Sequence, residues 1–227
     1  MAAENQTDPV AWKDGTPVSS RFDDPYFSLA GGLAETRHVF HAGNDLPARF
    51  RDGFRIAELG FGTGLNLVAT VLAWQRAGAT GRFSYTSFEA FPMPPDDMEA
   101  ALAAFPEARE AASPLLDAWR AGRRAFAFGP AEVTVVVGDA RETLPRWSGL
   151  ADAWFLDGFS PAKNPELWDE GLMAEVARHT APGGSFATYT AAGFVRRGLA
   201  SAGFRVERVK GYGSKRHMSR GILGEAQ

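Results

Sequence analysis

Three closely spaced glycines, in the segment Glu58-Leu-Gly-Phe-Gly-Thr-Gly64, constrain the fold of this chain more than any other feature. They follow an apolar strand candidate at 54–59 and precede a helix candidate at 65–75, whose apolar residues recur at helical spacing. Glycine permits a tight turn and lets a ligand approach the backbone closely. The N–H groups that open the helix suit a carboxylate or phosphate. The segment therefore predicts a ligand-binding turn, with a tight structural turn as the alternative.

Predicted strands and helices alternate along the rest of the chain, which indicates an α/β fold with a mostly parallel sheet. The further strand candidates are 83–88, 133–137, 151–156, 185–190, 204–209 and 217–223. Helices are expected over 96–105, over 194–202, and from a cap at Asn164 to a stop at Pro182-Gly183-Gly184. The expected fold is Rossmann-like, with a seven-stranded, mostly parallel sheet and a C-terminal antiparallel hairpin.

The first fifty residues lack this regularity and include short β-prone pieces such as 36–40. We interpret residues 1–50 as an extension packed on the core, and residues 51–227 as the main domain. Residues 133–137 form a continuous β-branched run, which is typical of a strand covered on both faces. After the helix at 96–105, the chain is poorly patterned up to about Phe128.

Composition excludes several classes of protein. The chain has 227 residues, 45% hydrophobic and 22% charged, as in a folded domain rather than a disordered one. No apolar run reaches the roughly 18 residues of a membrane span, and the N-terminus lacks the features of a signal peptide. Cysteine is absent and the four His residues lack metal spacing, so no disulfide, thiolate or metal site is expected. A cytoplasmic protein without membrane or metal partners is the expectation.

The net charge of −3 conceals an asymmetry. Residues 190–227 hold eight Lys/Arg against two Asp/Glu, while the rest of the chain is acidic. A basic C-terminal segment on an acidic body can steer an anionic partner to one face, although chance clustering on a solvated surface would look the same.

The glycine spacing distinguishes between nucleotide-like cofactors. Dinucleotide-binding turns have the pattern G-x-G-x-x-G, whereas this chain has G-x-G-x-G with Glu58 two residues before Gly60. This variant favours S-adenosyl-L-methionine, whose ammonium Glu58 would bind directly or through water. A nicotinamide-binding oxidoreductase is the disfavoured alternative.

Two further carboxylates follow predicted strands, where ligands bind in such sheets. Glu89 ends the second strand and is expected to accept the ribose hydroxyls of an adenosine, unless it is a solvated strand-end residue. Asp139 follows the Val-rich strand and is expected to accept from an adenine amino group, with the Ala140 N–H beside a ring nitrogen. A plain Gly-Asp turn is the alternative for Asp139.

The most specific segment is 155–165, FLDGFSPAKNP, which follows the fourth predicted strand. Asp157 is expected to face the cleft where a reactive group would sit, although a capping role is the alternative. Phe159 offers a face on which a base could stack, although core packing would also explain it. We therefore select Asp157 and Phe159 as candidate catalytic residues.

The C-terminal segment 210–217, KGYGSKRH, and the pair Arg196-Arg197 suggest contacts with phosphates. Lysine and arginine supply sequence-independent affinity for a nucleic-acid backbone. The candidate contacts here are Arg196, Arg197, Lys210, Lys215 and Arg216. A solvated hairpin turn is the alternative.

Taken together, these segments resemble the methyltransferase-domain family of MnmC, the tRNA 5-methylaminomethyl-2-thiouridine biosynthesis protein. The matching blocks are 22–28 (FDDPYFS), 32–37 (GLAETR), 43–44 (GN), 58–66 (ELGFGTGLN), 138–140 (GDA), 152–165 (DAWFLDGFSPAKNP), Trp168, 187–190 (ATYT), 195–199 (VRRGL) and 210–216 (KGYGSKR). The long block at 152–165 is the most specific of these.

The resemblance implies methyl transfer from S-adenosyl-L-methionine to the exocyclic amine of 5-aminomethyl(-2-thio)uridine at the tRNA wobble position. It implies that Asp157 lies beside the amine. Tyr26 and Phe159 are candidates for the surface on which the wobble base stacks, and Lys163 is a further candidate contact with the tRNA. The residues expected to hold the cofactor are Glu58, Gly60, Phe61, Gly62, Thr63, Gly64, Asn66, Glu89, Asp139, Ala140 and Asp157.

Bifunctional members of this family carry a second, FAD-dependent oxidase domain, and no dinucleotide loop follows in this sequence. We therefore expect a stand-alone methyltransferase, whose aminomethyl substrate is made differently or by a separate enzyme. Two alternatives keep the fold: a methyltransferase for another RNA or a small amine, and a non-catalytic RNA-binding protein. The intact Asp157 segment argues against the second.

Overall fold

The computed structural model describes residues 9–28 and 31–224. Within these residues the strands are β1 (Val10–Lys13), β2 (Thr16–Ser19), β3 (Asp24–Pro25), β4 (Phe54–Leu59), β5 (Phe83–Glu89), β6 (Ala125–Phe128), β7 (Ala131–Val137), β8 (Ala151–Leu156), β9 (Thr180–Thr188), β10 (Phe204–Lys210) and β11 (His217–Leu223). The α-helices are α1 (Gly32–Thr36), α2 (Leu65–Arg76), α3 (Pro95–Ala103), α4 (Pro106–Ala111), α5 (Ser113–Arg120), α6 (Ala140–Thr143), α7 (Glu170–Arg178) and α8 (Gly193–Ser201).

The central sheet has eight strands in the order β10-β11-β9-β8-β4-β5-β7-β6. The five strands from β9 to β7 are parallel, and β10, β11 and β6 are antiparallel to their neighbours. The predicted α/β fold with a C-terminal antiparallel hairpin is confirmed. The sheet has one strand more than the predicted seven, because β6 forms a hairpin with β7 in the stretch where no pattern was recognised.

Alternation along the strands divides the core into two apolar clusters. Phe155 packs in the first cluster with residues of α2 to α5, and its neighbour Trp154 packs in the second with residues of α7 and α8. Helices therefore cover both faces of the sheet. The β-branched run in β7 is an exception to the expected double cover, because Glu132 and Thr134 are exposed and Val137 is 49% exposed.

Three local predictions were wrong. Residues 36–40 are helical: Thr36 ends α1, and a π-helical turn, Arg37–His41, continues from it. The helix predicted from Asn164 begins only at Glu170, after a 3-10 turn, because the Asp169 carboxylate caps it by accepting from Leu172 N at 2.7 Å. That helix ends at Arg178, and Pro182-Gly183-Gly184 lies inside β9.

The chain leaves β4 towards β5 on one side and later returns to pair β8 on the other. The gap beyond the carboxyl ends of β4 and β8 is therefore the topological switch point, where such sheets bind ligands. A separate three-stranded sheet, β1-β2-β3, is formed by residues that precede this core. In the described part of the chain, no helix is both long and apolar enough to cross a membrane, and no group of three or more His, Asp or Glu residues is placed to hold a metal ion.

At the opposite end of the sheet, Asp152 joins β8 to the segment that enters β4. Its buried carboxylate accepts from Arg51 Nη2 at 3.0 Å, from Arg55 N at 2.9 Å and from Arg55 Nε at 3.0 Å. Arg49 Nη2 donates to the Asp152 carbonyl at 2.9 Å. Arg49 thus attaches the end of the first fifty residues to β8, while Arg51 and Arg55 join the Asp152 carboxylate to the start of β4.

We predict that Asp152→Ala lowers the free energy of unfolding by about 2 kcal/mol, because the Arg55 N–H loses its charged acceptor in a buried site. The exposed pair Arg82–Glu132, 3.7 Å apart, supplies the control. Glu132→Ala should change stability by less than about 0.5 kcal/mol. Urea unfolding of both variants measures the difference, and equal stabilities would contradict the anchoring role of Asp152.

Candidate active site

A cavity of about 1230 Å³ opens at the switch point. Most of the predicted site residues for the cofactor, the reaction and the tRNA line it: Tyr26, Gly60, Phe61, Gly62, Thr63, Asn66, Glu89, Asp139, Ala140, Asp157, Phe159 and Lys215. The predicted site residues that do not line it are Glu58, Gly64, Lys163, Arg196, Arg197, Lys210 and Arg216. Four separate strand ends thus contribute to one cavity, as their positions after the strands predicted.

The glycine turn is shaped by contacts that a side chain would disrupt. Gly60 has a φ of 82°, and a Cβ there would lie 3.1 Å from Gly158 Cα. The Gly62 N–H donates to Glu89 Oε2 at 2.9 Å, and the Phe91 N–H donates to Glu89 Oε1 at 2.8 Å. The turn therefore packs directly on the Asp157 segment and orients the Glu89 carboxylate at the cavity wall.

Asn66, in the first turn of α2, bridges two carboxylates at the base of the cavity. Its Nδ2 donates to Glu58 Oε1 at 2.9 Å and to Asp157 Oδ2 at 2.8 Å. Thr36 Oγ1 donates to Asn66 Oδ1 at 2.7 Å, which fixes the orientation of the amide. The Gly158 N–H donates to Asp157 Oδ1 at 2.8 Å. The Asp157 side chain is therefore held at both oxygens.

The two carboxylates have different charges at neutral pH. Burial raises the pKa of Glu58 to about 8, although hydrogen bonds from Ser87 and Asn66 oppose this. Burial also raises the pKa of Asp157 to about 6, against the hydrogen bonds from Gly158 N and Asn66. Asp157 is therefore ionised at pH 7 while Glu58 keeps its proton. Because Glu58 is fully buried and does not line the cavity, a direct contact with a cofactor ammonium would require a rearrangement.

Asp139 caps the short helix α6. Its Oδ1 accepts from Arg141 N at 2.9 Å, and its Oδ2 accepts from Arg141 Nη2 at 2.6 Å. The Arg141 guanidinium holds the pKa of Asp139 below its usual value. The predicted acceptor for an adenine amino group thus lines the cavity, with Arg141 as its present partner.

Aromatic rings gather around Phe159. Phe22 stacks on it with centroids 4.7 Å apart, and Tyr26 meets it edge-on at 5.1 Å. The loop that carries Phe159 is secured by Asp24, whose Oδ2 accepts from Ser160 N at 2.7 Å. The segment that contains Phe22, Asp24 and Tyr26 therefore packs on the loop that follows Asp157.

Lys163 strengthens the same attachment. Its amino group contacts the Asp23 carbonyl and lies 3.3 Å from Asp23 Oδ2. A second carboxylate oxygen, Asp24 Oδ1, lies 3.9 Å away. Lys163 is therefore engaged within the protein rather than directed into the cavity.

Lys215 lies at the cavity, apart from the rest of the basic C-terminal segment. Its Nζ is 2.8 Å from Glu35 Oε1 and 4.1 Å from the centroid of the Tyr189 ring. The Tyr189 hydroxyl in turn donates to the Gly158 carbonyl at 2.9 Å. Lys215, which the sequence predicted to contact phosphate, therefore lies in the cavity wall near Asp157.

The other predicted phosphate contacts lie near the rim of the same edge. Arg197 is exposed in the first turns of α8, Lys210 is exposed at the end of β10, and Arg216 is exposed in the turn between β10 and β11. β11 begins beside the end of β9, with Ser219 opposite Thr188, so this turn lies at the carboxyl edge of the parallel strands. Arg196 is half-buried, and its Nε has no hydrogen-bond partner among the described residues.

Sequence reasoning missed several residues of the cavity. Tyr189 directly follows β9, so the rule that ligands bind beyond strand ends could have found it. Glu35 and Asp24 come from the region before the first parallel strand, and no periodicity marks them. Both lie inside the blocks 22–28 and 32–37, which carried the family resemblance without indicating a role.

The charge of the cavity suits a cationic ligand. Among the described residues that line it, seven carboxylates face four cations. A sulfonium cofactor with an amino-acid tail carries a net positive charge, and the glycine turn offers its carboxylate the N–H groups at the start of α2. The residues present therefore fit S-adenosyl-L-methionine.

Comparison with known proteins agrees with this geometry. Residues 106–224 match a family described as S-adenosyl-L-methionine-dependent methyltransferase. The chain therefore belongs to the S-adenosyl-L-methionine-dependent methyltransferases. This confirms the cofactor class that the glycine spacing favoured.

Individual relatives are more specific. The chain is 48% identical, over 94% of its length, to a protein of Chromobacterium violaceum named tRNA 5-methylaminomethyl-2-thiouridine biosynthesis bifunctional protein MnmC. It is 49% identical, over 92% of its length, to the protein of that name from Caulobacter sp. strain K31. The chain spans 34% and 37% of these two relatives. The predicted resemblance to the MnmC family is confirmed.

A solved structure shows the same fold over nearly the whole chain. The crystal structure of MnmC2 from Aquifex aeolicus superposes with a TM-score of 0.75 at 27% identity, covering 99% of this chain and 72% of that one. The likeness therefore includes the residues before β4 that contribute to the cavity.

We predict that Glu58→Gln becomes more stable relative to the wild type as the pH rises from about 4.5 to about 8. Burial raises the native-state pKa of Glu58, so the unfolded chain releases this proton first and the native state loses stability across that interval. Glutamine has no such titration and keeps the shape of the side chain. Urea unfolding at both ends of the interval measures the change, with the exposed Glu110→Gln as control. A constant difference between Glu58→Gln and the wild type would contradict the raised pKa.

Proposed function

We propose that this chain transfers a methyl group from S-adenosyl-L-methionine to the exocyclic amine of 5-aminomethyl(-2-thio)uridine at the tRNA wobble position. The observation that carries the proposal is the placement of Asp157 at the switch point, facing the cavity and held at both oxygens. The names of the relatives that match nearly the whole chain support the choice of substrate. A tRNA substrate also implies a cytoplasmic reaction.

The cofactor would be held by residues from three strand ends. The N–H groups at the start of α2 would bind its carboxylate, Glu89 its ribose hydroxyls, and Asp139 with Ala140 its adenine. For Asp139 to accept from adenine, Arg141 has to release part of its hold on the carboxylate. When bound, the cofactor supplies an electrophilic methyl group on sulfur.

Asp157 is better suited to orient the amine than to deprotonate it. A primary alkyl amine titrates near pH 10, so in water at neutral pH it is protonated and not nucleophilic. A carboxylate with a pKa of about 6 is too weak a base to remove that proton efficiently, and its charge favours the ammonium form. Asp157 would instead accept a hydrogen bond from the amine, and would stabilise the positive charge that develops on nitrogen.

The wobble base has to leave the anticodon stack to reach the cavity. Tyr26 and Phe159 supply the aromatic surface at the entrance. Phe22 covers one face of Phe159, so the stacking surface consists of the other face of Phe159 and the ring of Tyr26. A separate enzyme that supplies the aminomethyl group is part of this proposal.

We predict that the wild-type protein adds one methyl group to 5-aminomethyl-2-thiouridine in tRNA. Purified protein is incubated with labelled cofactor and tRNA carrying that nucleoside, and the digested tRNA is examined by mass spectrometry. Asp157→Asn should lower turnover by about a hundredfold, because misorientation of a reacting group by about 1 Å has that effect. An asparagine oxygen can accept from only one of the two donors, Asn66 and Gly158.

Two results would count against the proposal. If the wild type bound the cofactor but added no methyl group to this nucleoside, the substrate would be another amine or RNA. If Asp157→Asn kept full turnover with normal tRNA affinity, the orienting role of Asp157 would be wrong.

We predict that replacing Arg197, Lys210 and Arg216 together by glutamine raises the KM for tRNA and flattens its dependence on salt. Removing one phosphate contact should reduce the slope of log affinity against log salt concentration by about one. The charge-matched control replaces Arg76, Arg82 and Arg120, which pair with exposed carboxylates elsewhere. Equal salt slopes for the two triple variants would show that the C-terminal edge is not the docking surface.

A further inference from the structure

Lys215 lies in the part of the cavity wall that also holds Asp157, Glu35 and Tyr189, here called the acidic corner. Its ammonium lies 2.8 Å from the Glu35 carboxylate and 4.1 Å from the centre of the Tyr189 ring. A cation over an aromatic face is attracted by the ring quadrupole, so Tyr189 and Glu35 together hold the Lys215 side chain in place. Tyr189 is itself fixed, because its hydroxyl donates to the carbonyl of Gly158 at 2.9 Å. The ammonium is therefore linked through Tyr189 to the residue that follows Asp157.

The other cations that line the described cavity are engaged elsewhere. Arg141 pairs with Asp139, and Arg124 lies 3.8 Å from the centre of the Trp119 ring. Arg21 lies 4.4 Å from the centre of the Phe91 ring. Among the described cations that line the cavity, Lys215 is therefore the one whose contacts place it in the acidic corner with Asp157.

The corner is otherwise acidic. Asp157 faces it from the end of β8, Glu35 from α1 and Asp24 from β3, with Glu58 buried behind Asn66. Burial and the neighbouring carboxylates raise the pKa of the Tyr189 hydroxyl well above its usual value, so that this group stays neutral. Carboxylates favour the protonated form of an amine that enters among them. Methyl transfer requires the neutral amine. A positive charge beside these carboxylates would lower the pKa of the amine and so favour its neutral form.

We propose that Lys215 keeps the attacking amine of the substrate neutral, by placing a fixed ammonium beside the acidic corner that receives that amine. Two like charges in one site disfavour each other, and the Lys215 ammonium is held in place by Glu35 and Tyr189. The released proton passes to solvent before the transfer, and the nitrogen lone pair then forms the bond to the methyl group as the bond from that methyl group to sulfur breaks. This inference rests on the proposed function.

The pH dependence of the transfer tests this role. The rate of a single turnover is measured between about pH 6 and about pH 10, with tRNA carrying 5-aminomethyl-2-thiouridine and the cofactor both saturating. The proteins are the wild type, Lys215→Met, Lys215→Arg and the control Arg208→Gln. Arg208 is an exposed cation of the same basic segment and does not line the cavity.

In Lys215→Met, the midpoint of the rising limb should move up by about one pH unit, and the rate at pH 7 should fall about tenfold. The rate should approach the wild-type value at the alkaline end, where the amine is neutral in both proteins. Lys215→Arg should keep the wild-type midpoint because it keeps the positive charge. Arg208→Gln should also keep it.

The outcomes separate this inference from the function on which it rests. If the wild type transfers no methyl group, the proposed function fails, and the role of Lys215 fails with it. If the wild type is active and Lys215→Met keeps its midpoint, or is slower by the same factor at every pH, only the role of Lys215 is overturned. A midpoint in Lys215→Arg that moves as far as in Lys215→Met would also overturn it.

Discussion

The amide of Asn66 is the interaction on which the rest of the site depends. It donates to Glu58 in β4 and to Asp157 after β8, the two strands that flank the switch point. Without this shared donor, both desolvated carboxyl groups would lose a hydrogen-bond partner at the base of the cavity. Thr36 holds the far side of the same amide, so a residue from the least regular part of the chain sets the geometry of the acidic pair.

The acidic cavity creates a conflict between binding and reaction. An excess of carboxylates favours a cationic cofactor, and in the proposed reaction it would also favour the protonated amine, although an amine attacks only through a neutral nitrogen. Burial resolves part of this conflict by keeping Glu58 protonated, which leaves Asp157 as the charged member of the pair. The Lys215–Glu35 pair adds an ammonium near Asp157. Under the proposed function, the site would therefore attract cations while the Lys215 ammonium disfavours protonation of the substrate amine.

The sequence predicted the parts of the fold and site that depend on local patterns. The glycine turn, Glu89, Asp139 and Asp157 all follow parallel strands, and parallel strands end at one edge. The start of α7 was placed too early because Asn164-Pro165 also has the composition of a helix start. Strand β6 has only four residues and forms through its pairing with β7, so its sequence is too short to show the alternating pattern of a strand. The sequence did not predict that Lys215 lies in the cavity wall, because its partner Glu35 is 180 residues away in sequence.

Segments near both ends of the described chain complete the cavity, and the central strands form its base. Asp24 accepts from Ser160 N and thereby positions the loop that carries Phe159, and Lys215 reaches Glu35 from the turn between β10 and β11. The strand ends carry the groups suited to the cofactor, because parallel strands present them at fixed spacing. The peripheral segments carry Asp24, Glu35 and Lys215, which line the same cavity as Asp157. A change of substrate within this fold would therefore require changes in residues 22–35 and 210–216 rather than in the glycine turn.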